Sequence, residues 1–135
     1  MMQDGEFSLG SFQLSFLGEF PNGKCLDKKQ IISRITVPAH LNVSQNNFVL
    51  KMNGHSMQDD GLLHGDLLVI APSSTANNNQ IVIATIDNVE TVIKQFEQTN
   101  DLIILSCKNP DIKPMIFDPS RIKIVGVLVA QMRQY

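Results

Sequence analysis

Residues 48–70 read FVLKMNGHSMQDDGLLHGDLLVI: an apolar run, FVLKM, then a polar corner around Ser56, then a second apolar run, DLLVI. Short apolar runs bounded by Gly, Asn and Asp have the size and punctuation of strands. A surface turn between two strands accounts for the glycines and polar residues. It does not require Met57, nor the acidic pair and second glycine that follow.

Outward from this stretch the pattern continues. DLLVI is followed by QIVIATI, ETVIKQF, LIILS, MIF and IKIVGVLVAQM, separated by Gly, Pro, Asn and Ser clusters, which is the spacing of a mostly β domain. IATIDNVETVIK reads as a hairpin turning at Asp87-Asn88. APSSTANNN is a polar loop, and no internal repeat is present. DKKQIISRI fits either a short helix capped by Asp27 or a strand through IISRITV. Residues 1–24 show no sustained periodicity and are expected to be a flexible, extended arm, with one folded domain over 25–135.

Composition bounds the function. A chain of 135 residues has room for one core of ordinary size. A net charge of −2 and a pI near 5.8, with scattered Lys and Arg, speak against direct nucleic-acid binding. Cys25 and Cys107 form no CxxC or metal-ligand pattern, and MMQDGEFSLG is not a signal peptide, so a cytoplasmic protein with two free thiols is expected. Asn42-Val43-Ser44 is then a chance glycosylation match. No apolar stretch approaches the roughly 20 residues that span a bilayer.

Chemistry narrows to a few residues. His40, His55 and His64 lack metal-ligand spacing, and His55 points away from its neighbour Ser56 on extended backbone, so solvated or capping roles are expected. Ser120 to Lys123 fits S-x-x-K but precedes a β-branched run, where a strand would put the two side chains on opposite faces. Ser56 and Lys94 remain. A serine hydroxyl becomes a good nucleophile when a base takes its proton. Lysine serves when neutral, a form that is rare at pH 7 given a reference pKa of about 10.4 but is favoured by burial. Lys94 lies in TVIKQF, where alternation places Val92, Lys94 and Phe96 on one face. Taken alone, that pattern is better read as the solvated face of an edge strand.

The joint pattern, FVLKMNGHSMQDDGLLHGDLLVI, then IVIATIDNVETVIKQF, then KNPDIKPMIFD, strongly resembles the catalytic domain of the LexA/UmuD family of self-cleaving S24 peptidases, over about residues 48–130. The resemblance implies a single compact β-domain with short helical turns and an extended N-terminal arm. It makes Ser56 the nucleophile and Lys94 the general base. Gly54 and Gly61 then relax the corner, Met57 packs beneath it, and backbone amides there form the oxyanion hole. Neither a metal nor a cofactor is implied.

With 55 residues ahead of Ser56, a separate DNA-binding domain is not expected, and the closest likeness is to the short UmuD type. That type implies a homodimer, cleavage of the arm promoted by RecA filaments on single-stranded DNA in the SOS response, and a product that joins a UmuC-type translesion polymerase. Family members cut Cys-Gly or Ala-Gly, which the arm lacks. FLGEFPNG makes Leu17-Gly18 the expected bond, Gly18-Glu19 the second and Leu9-Gly10 a remote third. The lysine hairpin is one residue longer than usual, to be absorbed in the turn or by a bulge. A non-cleaving accessory subunit is the alternative. A signal-peptidase-like enzyme shares the dyad, but the absence of an anchor argues against it.

Overall fold

The computed structural model describes residues 11–21, 23–38 and 43–134. Among these residues nine strands follow one another: β1 (Ser11–Glu19), β2 (Ser33–Pro38), β3 (Phe48–Lys51), β4 (Leu67–Pro72), β5 (Ile81–Ile86), β6 (Glu90–Gln98), β7 (Ile103–Ser106), β8 (Met115–Phe117) and β9 (Ile122–Met132). Single 3-10 turns occupy Gln58–Asp60 and Pro119–Arg121. The mostly β architecture expected from the alternating runs is what the structure shows. IISRITV takes the strand alternative as β2, and Ser120 sits in the second 3-10 turn with Lys123 on β9.

All strands join one mixed sheet in the order β2-β1-β3-β4-β9-β5-β6-β7-β8. β1 pairs parallel to β3, and the other neighbours are antiparallel. Alternation sorts the buried side chains into three clusters. One, built on Leu14, Val37, Val49 and Val69, lies across β1–β4, and another, on Val82, Phe96, Leu105 and Val127, lies across β5–β7 and β9. The largest, with Leu17, Phe20, Leu50, Met52, Met57 and Leu62, underlies the corner that carries Ser56. Residues 11–19, inside the expected arm, are thus a strand with neighbours on both sides.

The lysine hairpin keeps one register throughout. β5 and β6 pair without interruption from Ile86–Glu90 to Ile81–Gln95, leaving Asp87, Asn88 and Val89 outside the ladder. Asp87 and Asn88 both take positive φ, 54° and 58°, a region that Asn and Asp tolerate better than most residues. Register beyond the turn is therefore undisturbed.

Candidate active site

β3 ends at Lys51 and β4 begins at Leu67, and the chain between them folds back on itself. Met52 N–H donates to Asp66 O at 2.7 Å and Gly65 N–H to Met52 O at 2.9 Å, closing the mouth of the loop. At Gly54 φ is +102°, a conformation that costs a side-chain-bearing residue far more than glycine. Its N–H donates to His64 Nδ1 at 2.9 Å. Ser56 is exposed at the tip while Met57, beside it, is fully buried. Met57 O accepts the N–H groups of Asp60 and Leu62, both at 3.1 Å, which winds the 3-10 turn.

Asp66 fixes this corner from below. It is buried at 1% exposure, and its carboxylate accepts from Arg133 Nε at 2.7 Å, Arg133 Nη2 at 2.8 Å and Leu63 N–H at 2.8 Å. Gln131 Nε2 and Arg133 Nη2 also reach Gly61 O, at 2.9 and 3.3 Å. The hydrogen bonds from Arg133 hold the Asp66 carboxyl below its ordinary value of 3.8, against the opposing effect of burial. A buried carboxylate needs such partners, because desolvation without them costs several kcal/mol, on the order of the chain's whole stability.

Lys94 is presented by β6. Ladder pairing between β6 and β7 stops at Gln95–Ser106, so Lys94 and Cys107 face each other one step beyond it, and Lys94 Nζ lies 3.9 Å from Cys107 Sγ. Lys94 is half-buried and stands opposite the buried Val82 of β5. Ser56 and Lys94 line one cleft of about 300 Å³, with Phe20, Gly23, Glu90 and Met115 among its other walls. A larger groove, about 720 Å³, runs past Lys51, His64, Asp66 and Arg133 but touches neither Ser56 nor Lys94. The smaller cleft is the one that brings Ser56 and Lys94 together, and chemistry outweighs size.

The amides of Gly54 and Gln58 are occupied, by His64 Nδ1 and by His55 O at 3.1 Å. Those of residues 55–57 have no acceptor among the described residues, which leaves donors beside the serine hydroxyl. His55 and His64 are exposed, with ring centroids 5.5 Å apart. His40 lies outside the described residues. Among the described residues no cluster of His, Cys, Asp and Glu is arranged to hold a metal, and no helix is long and apolar enough to cross a membrane.

Two of the three candidate bonds fall in an irregularity of β1. The β1–β3 register shifts between Phe16 and Glu19, so Leu17 and Gly18 form a bulge. Leu17 is buried in the cluster that contains Met57. Gly18 has φ +96°, and an added Cβ would lie 2.6 Å from Ile32 Cδ1. That exposed tip can move, so the backbone angle is the stronger reason for glycine. Neither residue lines the cleft, whereas Phe20 does. The segment after Phe20 is tied to β6: Thr91 N–H donates to Lys24 O at 2.9 Å, and Leu26 N–H donates to Thr91 Oγ1 at 2.8 Å. Leu9-Gly10 lies outside the described residues.

Asp66, Arg133, Thr91 and Cys107 carry much of this geometry and were not singled out from the sequence as site residues. For Asp66 a signal existed, a charged residue at the entrance of the buried strand LLVI, where an unpaired carboxylate would not be tolerated. Its partner, across the chain at the end of β9, had none.

Comparison with known proteins agrees with this architecture. A profile of the peptidase S24-like family matches residues 16–129. The LexA repressor of Pelagibacter ubique is 33% identical over 95% of the chain, and that of Syntrophotalea carbinolica 36% identical over 91%. The chain spans 57% and 61% of the length of these two relatives.

Proposed function

We propose, from the premise that the chain belongs to the peptidase S24-like family, that it is a serine peptidase that cuts its own N-terminal segment with Ser56 as nucleophile and Lys94 as general base. The supporting observation is that one cleft contains both side chains. Neutral Lys94 takes the hydroxyl proton as Ser56 Oγ attacks the scissile carbonyl, and the tetrahedral oxyanion is met by amides of residues 55–57. The lysine then returns the proton to the leaving amine. Water releases the acyl group from Ser56 by the same sequence. Leu17-Gly18 is the preferred bond, and because its bulge lies off the cleft in the described arrangement, the bulge must swing toward Ser56 before cutting.

The test is intact-mass analysis after incubation at alkaline pH and, separately, with RecA, ATP and single-stranded DNA. Ser56→Ala and Lys94→Ala should each abolish shortening while leaving the fold intact, because residues that act as a unit do not lose activity additively. The rate should climb with pH, as general-base catalysis requires. A Lys94→Ala protein that still shortens at the normal rate removes the dyad from the mechanism.

Both relatives named above are LexA repressors, which supports a RecA-responsive, dimeric protein of the DNA-damage response. The finer, UmuD-like role, in which the shortened homodimer joins a UmuC-type polymerase, goes one step beyond that reading. Co-purification of the shortened form with such a polymerase tests it. The second reading, a non-cleaving accessory subunit, draws support from the position of Leu17 and Gly18 off the cleft. It becomes the better one if wild type stays intact under both conditions.

A further inference from the structure

We propose that Cys107 is a positioning residue for the dyad: its thiol holds the Lys94 amine in the cleft toward Ser56, and blocking that thiol stops self-cleavage. The inference rests on the Ser56–Lys94 reading above.

A lysine amine at the end of four rotatable bonds occupies many positions, and a general base must stay within hydrogen-bond reach of the proton it takes. Among the described residues, the side-chain partner of Lys94 Nζ is Cys107 Sγ, at 3.9 Å. The pair is a product of register, since Cys107 occupies the next position opposite Lys94 after Gln95–Ser106. Cys107 is itself held firmly. It is half-buried and packs against the apolar cluster that includes Met57, the neighbour of the nucleophile. The next residue is hydrogen-bonded to the serine corner, Lys108 N–H to Asp60 Oδ2 at 2.9 Å. Cys107-Lys108 therefore touches Lys94 on one side and the corner that carries Ser56 on the other.

The chemistry of a thiol suits this place. It is a weak donor and a weak acceptor at once, so it can remain in contact with the amine in either protonation state. A fixed carboxylate would favour the charged amine throughout and oppose its action as a base. Glu90, the carboxylate among the cleft walls, is the exposed first residue of β6.

The test uses full-length protein in a Cys25→Ser background, because Cys25 is exposed and is not a wall of the cleft. Cys107→Ala should slow first-order self-cleavage by about tenfold or more, the scale on which misplacing a catalytic group acts. Cys107→Ser should recover most of the rate, because a hydroxyl can make the same contact. Iodoacetamide should stop cleavage in the Cys25→Ser protein and leave Cys25→Ser/Cys107→Ser unaffected. Thermal melting separates misfolding from misplacement, and if Cys107→Ala melts early, the Ser variant and the alkylation arm decide. Cleavage at the parental rate in Cys107→Ala, or equal inhibition of the thiol-free variant, overturns the proposal and leaves the dyad standing. Loss of cleavage in every variant, with the Cys25→Ser parent also inert, defeats the dyad reading and this one with it.

Discussion

The serine corner and the lysine hairpin deliver their side chains to the same cleft by different means. The corner interrupts the sheet, and its shape is set by particular contacts: Gly54 on His64, Met57 in the core, and Asp66 locked to Arg133 and Leu63. The hairpin is plain ladder. Lys94 faces the cleft because β5 and β6 pair in unbroken register, and the ion pair at its turn, Asp87–Arg121 at 2.7 Å, has both side chains about half exposed. Positioning by register is distributed over many backbone bonds, whereas positioning by a corner concentrates in a few side chains. Single substitutions should therefore hurt the corner and spare the hairpin's turn.

Met57→Ala sharpens this most. Removing a fully buried side chain from a packed cluster should cost about 4 kcal/mol and slow cleavage, measured as a denaturant midpoint and an intact-mass time course. Asp66→Ala follows at about 3 kcal/mol, a figure lowered because Arg133 is a third open to water. A change under about 0.5 kcal/mol there would break the comparison.

The Asp66–Arg133 pair also gives the corner a pH signature. The Asp66 carboxyl lies lower in the folded chain than its ordinary value, so its contribution is complete above the unfolded pKa and is lost as pH falls through the folded one. Arg133→Ala should thus destabilise most near neutrality, and its gap from wild type should narrow below about pH 4. A gap constant across that range would show that Arg133 acts by packing alone. The smallest effect is expected from Asp87→Asn, which removes the charge from a solvent-screened pair while keeping a side chain that tolerates positive φ, and which should leave melting and cleavage unchanged. A loss comparable to that of Asp66→Ala would mean that the turn, and not the ladder, holds Lys94.

The same contrast explains what the sequence made legible. β9 was readable as IKIVGVLVAQM and the turn as Asp87-Asn88, because a β-branched apolar run and turn chemistry are local signals. The same locality made Ser56 and Lys94 stand out once their motifs were seen in order. β1 was not legible as a strand, since its burial alternates poorly across the Leu17-Gly18 bulge and its partners, β2 and β3, come later in the chain. Asp66–Arg133, Thr91–Leu26 and Lys94–Cys107 join distant segments, and nothing local in either partner announces the other.

The placement of β1 has a kinetic consequence. Its residues from Ser11 to Phe16 stay hydrogen-bonded along β2, with Ser15 and Phe16 also against β3 and Leu14 fully buried. Hydrolysis at Leu17-Gly18 would leave a nicked sheet, with two polypeptides by mass and one particle by size. The severed strand departs only by unzipping from both neighbours, so the lifetime of the product is set by backbone pairing and not by Ser56. Once it leaves, β2 and β3 face one another across a slot one strand wide, with their unpaired amides and carbonyls open to the next extended chain that fits.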